Sequence, residues 1–184
     1  MFVDIKYLEN IKFNNCENCY ECCKKPMAPL ILDDFEKVYH HFPILIAKLD
    51  YLKPVMLLSN EHHCPYLVNE KCSIYDTRPP ACRIYPYSPW YDKILLDLSC
   101  KGIGIYGEEI ATNYKEFKNS KFYEERFENI NEKLKKTINW TYSQKLIYLK
   151  KHHGIKIYKI KSQKEKFNNL VQESYKYLKN YGMV

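Results

Sequence analysis

The spacing of apolar positions divides the chain into a front part of short segments and a back part of helical stretches. Pro54-Val55-Met56-Leu57-Leu58 and Ile94-Leu95-Leu96-Asp97-Leu98 predict two short strands, since short apolar runs bounded by polar or turn residues suit buried strands. The longest clear apolar run, Ile44-Leu45-Ile46-Ala47, falls far below the roughly 20 residues of a membrane-spanning helix. Asp33 or Asp34 offers an N-cap for a first helix ending near Pro43. Residues 11–30 read as mostly loop, and residues 61–90, with five of the nine prolines, as irregular chain. Further on, Tyr123, Phe127, Ile130, Leu134 and Ile138 recur at helical spacing, as do Phe167, Leu170, Val171, Tyr175 and Leu178. Ser162 and Glu165 form a capping box for the latter helix. Two shorter helices are predicted from Asn113 to Phe117 and from Ser143 to Lys151, with Gly154 behind the second. Ile155-Lys156-Ile157 is too short to assign as a strand. The pattern predicts an α-rich α+β fold: a small irregular cysteine-rich core with short strands over residues 1–104, and a basic helical extension over residues 105–184.

Charge follows the same division. The chain has 184 residues and a net charge of +7. Residues 105–184 carry seventeen Lys and Arg against nine Asp and Glu, leaving the first 104 residues near neutral. All eight cysteines, at 16, 19, 22, 23, 64, 72, 82 and 100, fall in that neutral part. The start of the chain has no basic segment followed by an apolar stretch, so no signal peptide is visible and a cytoplasmic protein is expected. In a reducing compartment, clustered cysteines read as metal ligands or redox thiols rather than as disulfides.

The strongest chemical signal is Cys16-x-x-Cys19-x-x-Cys22-Cys23. A two-residue spacer lets a loop curl so that successive thiolates reach one metal centre, as in zinc knuckles and ferredoxin runs. Three cysteines at two successive such spacings match the opening of a ferredoxin run. The fourth ferredoxin cysteine is missing, and Cys64, also followed by proline, is the expected replacement. Neighbouring side chains diverge in extended backbone, so Cys22 and Cys23 are expected to serve different metals. Cys72, Cys82 and Cys100 complete eight thiolates, enough for two tetrahedral zinc sites or two 4Fe–4S clusters, or for one site with spares.

Either kind of tetrathiolate centre carries negative charge that the protein must offset. Arg78 and Arg83, two of only three arginines beside 26 lysines, flank Cys82. Their guanidinium groups read either as donors to sulfur or a bound anion, or as ordinary ion-pair partners, Arg78 with Asp76 for instance.

These blocks resemble the YkgJ-type cysteine-cluster family of zinc- or iron-chelating proteins. Its hallmark is C-x-x-C-x-x-C-C, then C-P-x-L, then C-x-I-Y-x-x-R-P-x-x-C-R-x-Y-P, ending near C-x-G-x-G. The sequence matches these elements at Cys16 to Cys23, Cys64 to Leu67, Cys72 to Pro86 and Cys100 to Gly104. The resemblance covers roughly residues 12–107 and implies metal chelation, commonly as iron–sulfur, without a shared reaction. A flagellin lysine methylase is similar in its cysteine motif on a longer chain, which implies an alternative, cluster-dependent protein methylation.

Weaker motifs change little. Gly102-Ile103-Gly104-Ile105-Tyr106-Gly107 spells a dinucleotide fingerprint, but no second parallel strand with its acidic residue follows. Gly102 and Gly104 are read instead as bringing backbone amides to the sulfur of Cys100. His62 and His63 precede Cys64, but eight cysteines already saturate two sites. The late lysines and tyrosines fit helix faces, and no nucleic-acid motif accompanies them. The expectation is an iron–sulfur protein with a protein partner or redox assembly, for electron transfer or cluster supply. A protein-modifying enzyme and a zinc-stabilised interaction module are the alternatives, and metal identity separates iron from zinc.

Overall fold

In the computed structural model, residues 1–13, 19–60, 62–90, 93–103, 108–161 and 166–183 are described. The front part runs through β1 (Phe2–Asp4), β2 (Ile11–Phe13), β3 (Met27–Pro29), α1 (Phe35–Val38), β4 (Ile44–Lys48), β5 (Leu52–Leu57), β6 (Leu67–Val68), β7 (Lys71–Cys72), α2 (Pro80–Ile84), β8 (Tyr87–Trp90) and β9 (Lys93–Asp97). The back part adds β10 (Glu108–Ala111), α3 (Tyr114–Lys118), α4 (Lys121–Phe127), α5 (Ile130–Ser143), β11 (Leu146–His152), β12 (Ile155–Ile160) and α6 (Lys166–Ser174), then a 3₁₀ helix at Tyr175–Tyr181. This is an α+β fold.

The principal sheet has five strands in the order β11-β12-β4-β5-β3, every neighbour antiparallel. Ile44 to Ala47 on β4 and Lys53 to Leu57 on β5 are buried without a break. Both faces of the sheet centre are therefore covered, which is why these runs, Lys53 apart, are apolar throughout rather than alternating. The helices α5 and α6 pack against the sheet, and the helix α6 is tied to β4 where Ser174 Oγ accepts from Ile44 N at 3.0 Å. A second, smaller core gathers Ile5, Tyr87, Ile94, Leu96, Phe117 and Phe127 around the sheet β1-β9-β8.

Several expectations are corrected. The segment from Ser143 to Lys151 is not a helix of its own: Ser143 ends α5, and Leu146 to His152 form β11, which pairs with β12 through a two-residue turn at His153 and Gly154, both at positive φ. The triplet Ile155-Lys156-Ile157, too short to assign from sequence, opens that second strand. The back part is thus not purely helical, and the principal sheet crosses the chemical boundary near residue 104 because β12 pairs with β4. The apolar stripe from Tyr123 to Ile138 is two helices, broken where Asn129 turns left-handed at φ 56°. The first helix shrinks to a 3₁₀ turn at Leu32–Asp34 and one α turn. Residues 61–90 hold the β6-β7 hairpin, α2 and β8 among their turns. The Ser162–Glu165 capping box lies outside the described residues.

Candidate metal centre

Four separate stretches deliver the cysteines of one cavity, and Cys100 lies on a fifth. Cys22 and Cys23 lie in a 3₁₀ helix at Glu21–Lys24, with the Cys23 amide donating to Tyr20 O at 2.9 Å. The expected divergence of these two side chains presupposes extended backbone. In the helical turn the two thiols instead lie near enough for each to shift the other's pKa. The Cys64 amide donates to Cys23 O at 2.7 Å, joining the second cysteine stretch directly to the first. Cys72 ends the β6-β7 hairpin, whose two strands pair at Leu67 and Cys72. Cys82 sits on α2, started by Pro80 at its first position, where a missing N–H is harmless.

Six of these side chains, Cys19, Cys22, Cys23, Cys64, Cys72 and Cys82, line one cavity of about 290 Å³. Phe42, Leu58 and Ile74 supply apolar wall, and Arg78 reaches the same space. Cys100 is buried and is not part of this lining, yet it is near enough for the charges of Cys19 and Cys22 to act on it. Cys16 and Gly104 lie outside the described residues. The seven described cysteines are all free thiols.

The thiols perturb one another. The adjacent Cys23 thiol, and then burial, push the Cys22 thiol up. Cys23 is drawn down by Cys22 but raised more by Cys64 and by burial, and stands at about 12. Burial, then the neighbouring cysteines Cys22, Cys23 and Cys72, pushes Cys82 up, against the opposing pull of Arg78. Burial also raises Cys100, while the nearby amide of Gly102 favours the thiolate. Neighbouring thiols of raised pKa hold their protons until something replaces them, and a thiophilic cation does so by direct ligation.

Among the described residues, no three Cys, His, Asp or Glu side chains already stand as a metal would draw them. The donor set nevertheless fits a thiophilic metal or cluster in chemistry. Six sulfurs share one partly apolar cavity, and six exceed the four that one tetrahedral site takes. An orphaned group points the same way. The Tyr181 hydroxyl is buried without a hydrogen-bond partner among the described residues, and Cys64 and Cys82 are close enough to raise its pKa further after burial. A bound thiolate or sulfide would offer that hydroxyl an acceptor.

The two arginines are placed differently. Arg78 lies over the Tyr75 ring at 3.6 Å and donates through Nε to Tyr75 O at 2.8 Å. Its charge favours the thiolates of Cys22 and Cys82. Arg83 turns to backbone, donating to Arg78 O at 2.9 Å and to Asp76 O at 2.6 Å. It braces the loop that carries Arg78 and does not line the thiol cavity. His63 bonds the Cys64 carbonyl through Nδ1 at 2.9 Å. Sequence reasoning passed over Tyr181, read there as packing, and the Lys25–Asp97 pair beneath the cysteine turn. Neither carried a motif.

Residues 15–122 match the family model CxxCxxCC, described as "Putative zinc- or iron-chelating domain". No curated protein and no solved structure matches the chain.

Proposed function

The chain belongs to the CxxCxxCC family of zinc- or iron-chelating domains, and from that premise we propose that its cavity thiols hold a 4Fe–4S cluster used in electron transfer or cluster supply. The observation that carries this reading is the convergence of six cysteines, from stretches up to about sixty residues apart in sequence, on one cavity. A cluster held there would supply one-electron transfer. The protein's part is to provide the thiolates, to offset their charge with Arg78 and to direct the Gly102 amide at Cys100. Phe42, Leu58 and Ile74 keep part of the wall dry. No described helix is long and apolar enough to cross a membrane. In this reading the protein acts in the cytoplasm with a protein redox partner.

Zinc is the competing occupant, because it accepts the same thiolates in the same geometry. Metal and sulfide analysis with a visible spectrum, on protein purified without oxygen, separates the two. The expected result is a brown protein with iron and sulfide in equal amounts, whose absorption bleaches on reduction. A colourless anaerobic preparation with stoichiometric zinc, forming no cluster on reconstitution, would overturn the iron–sulfur assignment.

A further inference from the structure

A second cavity, of about 590 Å³, shares Arg78 with the thiol cavity. All three arginines of the chain, Arg78, Arg83 and Arg126, line it, in a sequence that otherwise uses 26 lysines. Arginine's planar fork matches phosphate and carboxylate groups in a way that lysine's point charge does not. Three forks gathered at one place therefore differ from a general surplus of positive charge.

Lys53 lines the same cavity. It is the second residue of β5 and is only 3% exposed. Its ammonium faces the rings of Trp90 at 4.7 Å and Tyr51 at 6.0 Å. No carboxylate among the described residues offsets its burial, which alone lowers its pKa to about 8. A buried ammonium without a counter-charge is costly, and a protein that keeps one usually uses it.

The acids of this cavity are already engaged. Asp33 pairs with Lys133 at 3.3 Å and Glu125 with Arg126 at 3.0 Å, while Asp34 accepts from Ile31 N at 3.0 Å. Six cations line the cavity against these three carboxylates. The surplus falls on Lys53 and on Arg78 and Arg83, whose hydrogen bonds among the described residues go to backbone carbonyls. Leu30, Ile84 and Leu134 give the remaining wall an apolar character, and the volume is in the range of small-molecule sites.

We propose that this cavity binds a small organic anion, a phosphate or carboxylate head carried on an apolar body, with Lys53 and the three arginines receiving the head. The site does not depend on which metal the thiols hold, or on whether they hold one.

Calorimetric titration of the full chain with phenyl phosphate, phenylacetate and inorganic phosphate tests it, alongside Lys53→Met and Arg126→Gln. Methionine keeps the length and apolar stem of Lys53, and Arg126 is partly exposed. The expected result is saturable one-to-one binding of phenyl phosphate or phenylacetate, tighter than that of inorganic phosphate. Lys53→Met should weaken it at least tenfold and Arg126→Gln about threefold, with unchanged circular dichroism. Whichever of the two aromatic probes binds identifies the head group. Absence of saturable binding by both, or affinities unchanged in both variants, would overturn the proposal. Should Lys53→Met fail to fold, an unchanged affinity in Arg126→Gln is sufficient to reject it.

Discussion

The ammonium of Lys25 sits 2.8 Å from the carboxylate of Asp97, a side chain only 1% exposed. Lys25 follows the Cys22-Cys23 turn, and Asp97 ends β9 three residues before Cys100. One ion pair thus joins two cysteine-bearing segments. The same carboxylate accepts from the Ser99 amide at 3.0 Å, the Ser99 hydroxyl at 2.7 Å and the Tyr85 hydroxyl at 3.2 Å. Removing one partner from such a pair leaves a buried charge unbalanced, an effect of about 3–5 kcal/mol when both partners are fully buried. Lys25 is about one-third exposed, so the loss on Lys25→Met should be smaller, on the order of 2 kcal/mol. Urea denaturation of Lys25→Met and the unchanged chain measures it.

Acid should reach this pair late. Burial alone would raise the Asp97 pKa, but the hydrogen bonds from Lys25 and Ser99 outweigh it and hold the group at about 2. A carboxylate depressed in the folded state contributes stability above its unfolded value of about 4. That contribution is lost as pH falls from there through about 2. Asp97→Asn should therefore be less stable at neutral pH, and the difference from the unchanged chain should shrink between about pH 4 and pH 2. Thermal melts across that interval report the convergence. A constant difference would mean that Asp97 acts by shape rather than by charge.

The mutual influence of the Cys22, Cys23 and Cys64 thiols makes a further expectation concrete. If these thiols serve one centre, their losses are not additive, as for any groups that act as a unit. Cys22→Ser and Cys23→Ser should each remove at least half of the bound metal. The double variant should retain about as much metal as the weaker single variant. Metal content per chain after anaerobic purification provides the comparison. Strictly additive losses would assign the two cysteines to separate metals.

What the sequence showed and concealed follows from how local each signal is. The strands β5 and β9 were legible because their apolar runs are short, dense and bounded by polar or turn residues. The helix α3 was legible through Asn113, whose side chain accepts from Glu116 N at 3.1 Å. The hairpin β11-β12 was concealed for two reasons. Its register shifts between Tyr148 and Lys150, which breaks the two-residue alternation that marks a strand. Gly154, at φ 82°, suits the left-handed position after a helix as well as a hairpin turn, so its presence decides nothing. At the site, the cysteine motif named its ligand candidates in advance. Tyr181, Lys53 and the third arginine at 126 were invisible because they come from the sheet and the back part, and only folding brings them beside the motif loops.

That dependence leads to an expectation for truncation. A chain ending near Gly107 loses β12, leaving the edge of β4 unpaired. It also loses Val171, Leu178 and Tyr181, all buried in the main core, and Ser174 Oγ, which serves the Ile44 amide. The truncated chain should fail to fold and should aggregate, although every cysteine is retained. Far-UV circular dichroism and gel filtration decide the matter. A soluble, metal-loaded fragment of native-like strand content would show that residues 1–104 fold on their own.

Arg78 is where the two cavities meet, which makes its replacement the most informative single change. Its guanidinium is fixed by the Tyr75 ring and carbonyl, so it acts as a placed charge rather than a mobile one. Because that charge favours the thiolates of Cys22 and Cys82, removing it should weaken metal retention whichever metal is bound. Arg78→Met should lower affinity about tenfold in a chelator competition, corresponding to ~1.4 kcal/mol. If the centre is a cluster, losing a nearby positive charge also disfavours the added electron. The reduction potential should then fall by on the order of 60 mV, the one-electron equivalent of that energy. Arg78→Lys keeps the charge but loses the fork and its stacking, so it should restore most of the affinity and potential. It should leave anion binding in the second cavity impaired, because there the planar fork matters more than charge alone. Equal defects in Arg78→Met and Arg78→Lys at the thiol centre would show that Arg78 serves it by bracing the Tyr75 loop instead of by charge.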